Sequence, residues 1–122
     1  MWCGAIGRSL FMSAKTFKIE TYKIVLGYAL HKVWGSEIKV RGALDCYGED
    51  HRFIAYFLAE DSPVPKPVYE EKNKLAAIFL PFQNMGPFIS LLRNENEVFA
   101  YVDSTNPERN HLSTSREPVL DL

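Results

Sequence analysis

The stretch from Lys74 to Asp103, KLAAIFLPFQNMGPFISLLRNENEVFAYVD, most limits what this chain can fold into. Leu75 to Leu80 and Val98 to Val102 are short apolar runs bounded by breakers, the pattern of strands buried on both faces. Pro81 ends the first run, because proline supplies no ladder donor. Between the runs, Met85, Phe88, Ile89 and Leu92 recur at helical spacing. Gly86-Pro87 places the proline at the first helical position, where its missing N–H costs nothing. Asn94 or Asn96 can stop the helix, since Asn tolerates the left-handed cap. A strand, a helix and a strand in one stretch require a sheet on which the helix can lie.

The preceding residues supply that sheet. Ile38, Val40, Gly42 and Leu44 alternate with Lys39, Arg41, Ala43 and Asp45, as in a half-exposed strand. Tyr47-Gly48-Glu49-Asp50 reads as a turn in which Gly48 supplies the positive φ. His51 to Leu58 returns as an interior strand, which makes a β-hairpin. Residues 61–73, DSPVPKPVYEEKN, carry three of the seven prolines and a charge run, so they read as an extended, exposed loop. Residues 20–34 are ambiguous. As a helix they stack Tyr22, Val25, Leu26, Ala29, Leu30 and Val33, with Gly35 just past the end. As a strand they alternate Tyr22, Ile24, Leu26, Tyr28 and Leu30 with their neighbours. Gly27 in the middle and the β-branched and aromatic content favour the strand.

The expected fold is therefore α+β, a mostly antiparallel sheet of about five strands with one packed helix, in the order β-β-β-β-α-β. The alternative is α-β-β-β-α-β. Residues 1–14 read as a poorly ordered tail, with Met12 as an alternative start, and 15–122 as one domain that includes an irregular C-terminal tail. Three strands apolar on both faces and a single helix leave one sheet face to cover. If 20–34 is a strand, a homodimer through that face is the simplest cover.

Composition narrows the function classes. Hydrophobic residues make up 47% of the 122 and charged residues 24%, which is globular usage. The net charge of −1 lacks the basic excess of a nucleic-acid binder. No apolar run approaches the ~20 residues that span a bilayer, so no membrane partner is expected. Cys3 and Cys46 form no staple or zinc pattern and read as free thiols of a cytoplasmic protein.

Three clusters of side chains bear chemistry. Cys46 and His51 flank the hairpin turn with Asp45, Glu49 and Asp50, the residue types of thiol catalysis. Three acids, however, raise a thiol's pKa rather than lower it, and a polar turn is the preferred reading. Asp45, Asp50 and His51 also lack the ligand number and spacing of a calcium or zinc site, even with distant His111, so no metal, catalytic residue or cofactor is assigned. Arg109, His111, Ser113 and Arg116 can bind an anion, since guanidinium forks match carboxylate and phosphate. Lys39, Arg41 and Tyr56 are the corresponding set for stacking and neutralising single-stranded nucleic acid, a partner disfavoured by the overall charge.

Leu91-Leu92-Arg93-Asn94-Glu95, then Phe99-Ala100-Tyr101, then Leu112-Ser113-Thr114-Ser115-Arg116-Glu117-Pro118-Val119 follow one another along the last third. This order resembles the signature of a group of small uncharacterised bacterial proteins. The resemblance carries no activity and implies only that the polar tail belongs to the domain. The function expected is that of a non-enzymatic, homodimeric binding or interaction protein with an unidentified small-molecule ligand; the alternatives are a single-stranded nucleic-acid binder through the sheet aromatics and a small anion-binding protein or enzyme around residues 109–116.

Overall fold

The computed structural model describes residues 14–116. Its strands are β1 (Ala14–Lys18), β2 (Thr21–Val33), β3 (Ser36–Gly48), β4 (His51–Leu58), β5 (Val68–Glu70), β6 (Leu75–Pro81), β7 (Phe99–Asp103) and β8 (His111–Ser113). One α-helix, α1 (Met85–Asn94), follows a 3-10 turn at Phe82–Asn84. The strands form a five-stranded sheet in the order β2-β3-β4-β6-β5 and a three-stranded sheet in the order β1-β7-β8. Every pairing is antiparallel except β4 with β6.

The α+β class holds, but the strand pattern is richer than expected. Within residues 20–34, Thr21–Val33 are strand, which overturns the alternative α-β-β-β-α-β. Gly27, awkward in a helix, falls where the β2–β3 register slips between Leu26 and Ala29. The last apolar strand does not join the main sheet. It is the centre of a second one, flanked by β1 and β8, two short strands with little periodicity of their own. The proline-rich loop is extended and largely exposed, as expected, yet it contains β5, which only the pairing of Val68, Tyr69 and Glu70 with β6 reveals. The chain therefore passes outside the slot beside β4, turns back at Glu71–Lys74, and fills it with β6 running parallel to β4. The helix starts at Met85, so Pro87 lies in its first turn and not at its first position.

Register separates the two faces of the main sheet. Leu44, Ala55 and Ile78 share one face with Cys46, Phe53 and Ala76. That face is sealed by α1, whose Met85 and Leu92 are buried, and by β1 and β7. Phe57 meets Phe88 of the helix edge-on at 5.5 Å. The expected helical stripe is thus the packed one.

The second face, on which Ala43, Tyr56 and Phe79 are aligned, meets no second helix among the described residues. The sheet covers it by coiling on itself. Register slips at Leu26/Ala29 in β2 and at Val40/Gly42 in β3 bend the long hairpin. Its tip then reaches the opposite edge of the same sheet, where Trp34 Nε1–H donates to Glu70 Oε2 of β5 at 2.7 Å. The indole also stands edge-on to Phe79 at 6.3 Å. A second apolar cluster, with Ile38, Ala77, Val40 and Phe79 buried, fills the inside of this coil. The uncovered face that suggested a dimer is therefore partly closed within one chain.

Two turns of this hairpin system are two-residue reversals with left-handed backbone: Trp34-Gly35 (φ 45° and 83°) and Glu49-Asp50 (φ 49° and 64°). Positive φ at both central residues suits the right-handed twist of paired strands. Gly48 is not the residue that takes positive φ. It is needed because the chain leaving β1 crosses it: a Cβ there would stand 1.8 Å from the Lys18 carbonyl oxygen.

Candidate functional site

Coiling leaves a trough between the bent hairpin and the middle of the sheet. Two adjoining hollows make it up, of about 320 Å³ and about 390 Å³, and His31, Arg52, Ile54 and Tyr56 line both. Val25, Ala29, Val40 and Ala43 add apolar wall to the first, and Trp34 and Glu70 close the end of the second. That size and mostly apolar lining suit a small molecule.

Tyr56 and His31 line the trough and belong to a row of rings that continues into the buried Phe79. Tyr56 and Phe79 are parallel, 5.4 Å apart with an 8° interplanar angle, because the parallel β4–β6 ladder puts them side by side. His31 joins the row from β2, tilted against Tyr56 at 5.8 Å. This spacing is too close to admit a ring between them, so a flat ligand would lie over the row.

One polar network anchors the trough. Asp45 accepts from Arg52 through Nε at 2.8 Å and Nη2 at 2.7 Å, and from the Tyr47 hydroxyl at 2.7 Å. Burial alone would raise the Asp45 carboxyl, but Arg52 and Tyr47 outweigh it and hold the carboxyl below its ordinary 3.8. Arg52 is raised, chiefly by its hydrogen bond to Asp45, and so remains a cation. Its guanidinium also lies over the Tyr47 ring at 5.4 Å, and the Lys23 ammonium is 5.6 Å from the same ring. Burial pushes Tyr56 up, so it stays a neutral hydroxyl. Among the described residues, the Tyr56 hydroxyl, the His31 ring nitrogens and Arg52 Nη1 have no hydrogen-bond partner.

A larger hollow of about 480 Å³ lies beside Tyr28, Arg41, Glu60 and Asp61. Two of its charges are already engaged: Arg41 rests on the Phe82 ring at 4.3 Å, and Asp61 pairs with Lys39. It is a weaker candidate for that reason.

The residues singled out in the sequence are scattered. Tyr56 lies in the trough. Lys39 pairs with Leu30, alternates with the inward Ile38, and is bound by Asp61, while Arg41 is held by Phe82. The three do not converge on one surface. Around the C-terminal tail, the His111 ring stacks on Tyr101 at 5.2 Å and its Nδ1 lies 2.6 Å from the Arg109 carbonyl oxygen. Ser113 Oγ accepts from the Ser115 N–H at 3.0 Å. Arg116 leaves this group, covers the Phe99 ring at 4.8 Å and donates to Glu49 Oε2 at 3.1 Å. Glu117 to Val119 lie outside the described residues, as do residues 1–13 with Cys3 and Met12.

The turn cluster has no free nucleophile. Cys46 is fully buried, and burial followed by the nearby Asp45 charge pushes its thiol up to about 12. His51 is wedged between Phe17 at 5.1 Å and Tyr69 at 6.3 Å, with Nδ1 against the Glu49 carbonyl oxygen. Among the described residues no group of three His, Cys, Asp or Glu side chains could hold a metal ion, and no helix is long and apolar enough to cross a membrane.

His31 and Arg52 were missed by sequence reasoning, and Asp45 was weighed only with the turn. The one available signal was alternation, which puts Asp45 and Arg52 on one face of the hairpin at diagonal positions. Nothing in the sequence marks the hairpin's bend, which brings His31 over Tyr56. No family model, curated protein or solved structure matches this chain.

Proposed function

We propose that this protein is a non-enzymatic binding protein that holds a flat, largely apolar small molecule in the trough of its coiled sheet. The observation that carries this reading is the set of unpartnered polar tips, on His31, Tyr56 and Arg52, where an apolar hollow joins a more polar one. A site of this kind orients a ligand through a few hydrogen bonds and gains affinity from apolar burial. The amide 2-naphthamide, titrated into labelled protein and followed by backbone NMR shifts, tests it. Saturable shifts centred on Ala43, Ile54 and Tyr56, with affinity about tenfold weaker in Tyr56→Ala, are expected. Shifts confined to the outer side of β2 or to the loop at 59–64 would overturn it.

A second observation favours self-association. With its second face partly closed by the hairpin, the main sheet still has one long edge, β2, on which Leu26, Tyr28 and Leu30 are 67%, 66% and 62% exposed. An apolar edge of this length is a template for another strand. The occupant we propose is the β2 of a second copy, paired antiparallel about a two-fold axis. That alignment brings the Glu20 end of one strand to the Lys32 end of the other, so unlike charges meet. Light scattering should give the mass of a dimer, and the double variant Leu26→Lys/Leu30→Lys should give a folded monomer. A monomeric wild type at 100 µM, or a variant that stays dimeric, would refute this reading.

A further inference from the structure

Resting on the trough as the ligand site, we infer that its ligand carries a carboxylate, gripped by Arg52. Arg52 presents a guanidinium whose position is already fixed. Asp45 binds Nε and Nη2, and Tyr47 supports the group's face. Asp45 is itself satisfied by Tyr47 as well as by Arg52. The Nη1 edge of the fork is left without a partner among the described residues, on a side chain that lines both hollows.

Three features select a carboxylate over a neutral head. Two cations, Lys23 and Arg52, stand around the Asp45 carboxylate on this side of the trough. Glu70 lies at the far end, where Trp34 and Asn73 donate to it. Beside the Nε and Nη2 bonds to Asp45, the guanidinium keeps a coplanar pair of donors, on Nη1 and the second hydrogen of Nη2, that matches two carboxylate oxygens as a lysine point charge does not. The ordering cost of a long side chain has also been met in advance by Asp45 and Tyr47, so a ligand meets a preorganised donor. With the carboxylate at Arg52, the flat apolar part lies over Tyr56, and the Tyr56 hydroxyl and a His31 nitrogen remain for a second polar substituent. The ligand class is therefore an aromatic carboxylic acid of one or two fused rings.

The test compares 2-naphthoate with 2-naphthamide, which share a ring system and differ in charge. Wild-type protein should bind the acid at least five- to tenfold more tightly at neutral pH and low salt, with shifts centred on Arg52, Ile54 and Tyr56. Raising the salt to 0.5 M should shrink that preference. The double variant Asp45→Asn/Arg52→Gln, which removes the pair without stranding a charge, should bind both compounds alike. Arg52→Lys, which keeps the ion pair, should lose most of the preference and serves if the double variant does not fold. Equal binding of the two compounds in the trough of the wild type, or a preference that survives Arg52→Lys, overturns the inference while leaving the binding function standing. If neither compound shifts the trough residues, both fall.

Discussion

Gly48 and Asp50 are near neighbours in one turn and respond oppositely to substitution. Gly48 has ordinary φ, but its missing Cβ is the space through which the Lys18 carbonyl passes. Backbone cannot retreat as a flexible side chain can, so Gly48→Ala should destabilise by about 3 kcal/mol. Asp50 has open surroundings and a φ of 64°, which an L-residue with a Cβ adopts at a cost. Asp50→Gly should stabilise by about 0.5–1 kcal/mol. Denaturant midpoints of the two variants check both, and a shift of the same sign in each would contradict this account. The sequence marked this turn correctly but gave the left-handed role to the glycine. Local composition could not show that Lys18, thirty positions earlier by chain, passes over Gly48.

The hairpin β2–β3 carries most of what is distinctive about this fold. Its tip is fastened to the far edge of the sheet by Trp34, through an edge-on ring contact and a hydrogen bond to Glu70. Trp34→Ala should free the tip, so that amides of residues 30–38 exchange about tenfold faster while β4 and β6 are unchanged. Glu70→Gln keeps an acceptor oxygen and should behave almost as wild type. Uniform acceleration across the sheet would mean that the hairpin and the sheet open as one unit. The helix α1 was legible in the sequence because its apolar stripe is local and regular. Residues 20–34 were legible only as strand-like. Their slip at Gly27 and their curl onto β5 depend on partners that no single segment specifies.

At the level of the whole molecule, two carboxylates tie distant parts together. Glu49 accepts the Lys18 N–H at 2.8 Å and an Arg116 N–H at 3.1 Å, joining the turn to β1 and to the tail. The Lys18 backbone N–H first, and then Arg116, hold its carboxyl below the ordinary 4.5. Asp45 joins β3 to β4 and is also held below its ordinary value. A carboxyl with a lowered folded pKa adds stability above its unfolded pKa and loses it as the pH falls through the folded one. Stability should therefore stay level from neutral pH to about pH 5 and fall progressively below about pH 4. The double variant Asp45→Asn/Glu49→Gln should start lower at neutral pH and show a shallower acid fall. Urea titrations across this range check the slope, and an unchanged acid dependence in the variant would rule these two groups out as its source.

The sequence alone determined the α+β class, a helix from Gly86-Pro87 to about Asn94, the central hairpin, and strands 51–58, 75–80 and 98–102 as apolar on both faces. Those features follow from periodicity, which each segment carries in its own residues. The tertiary structure decided the rest: the parallel pairing of β6 with β4, the separate sheet around β7, the cover of the second face, and the trough itself. Each depends on contacts between segments far apart in the chain. The Asp45–Arg52 pair illustrates the difference. Alternation placed its two members across a hairpin, but only the coil of the sheet placed His31 and Trp34 around the same trough.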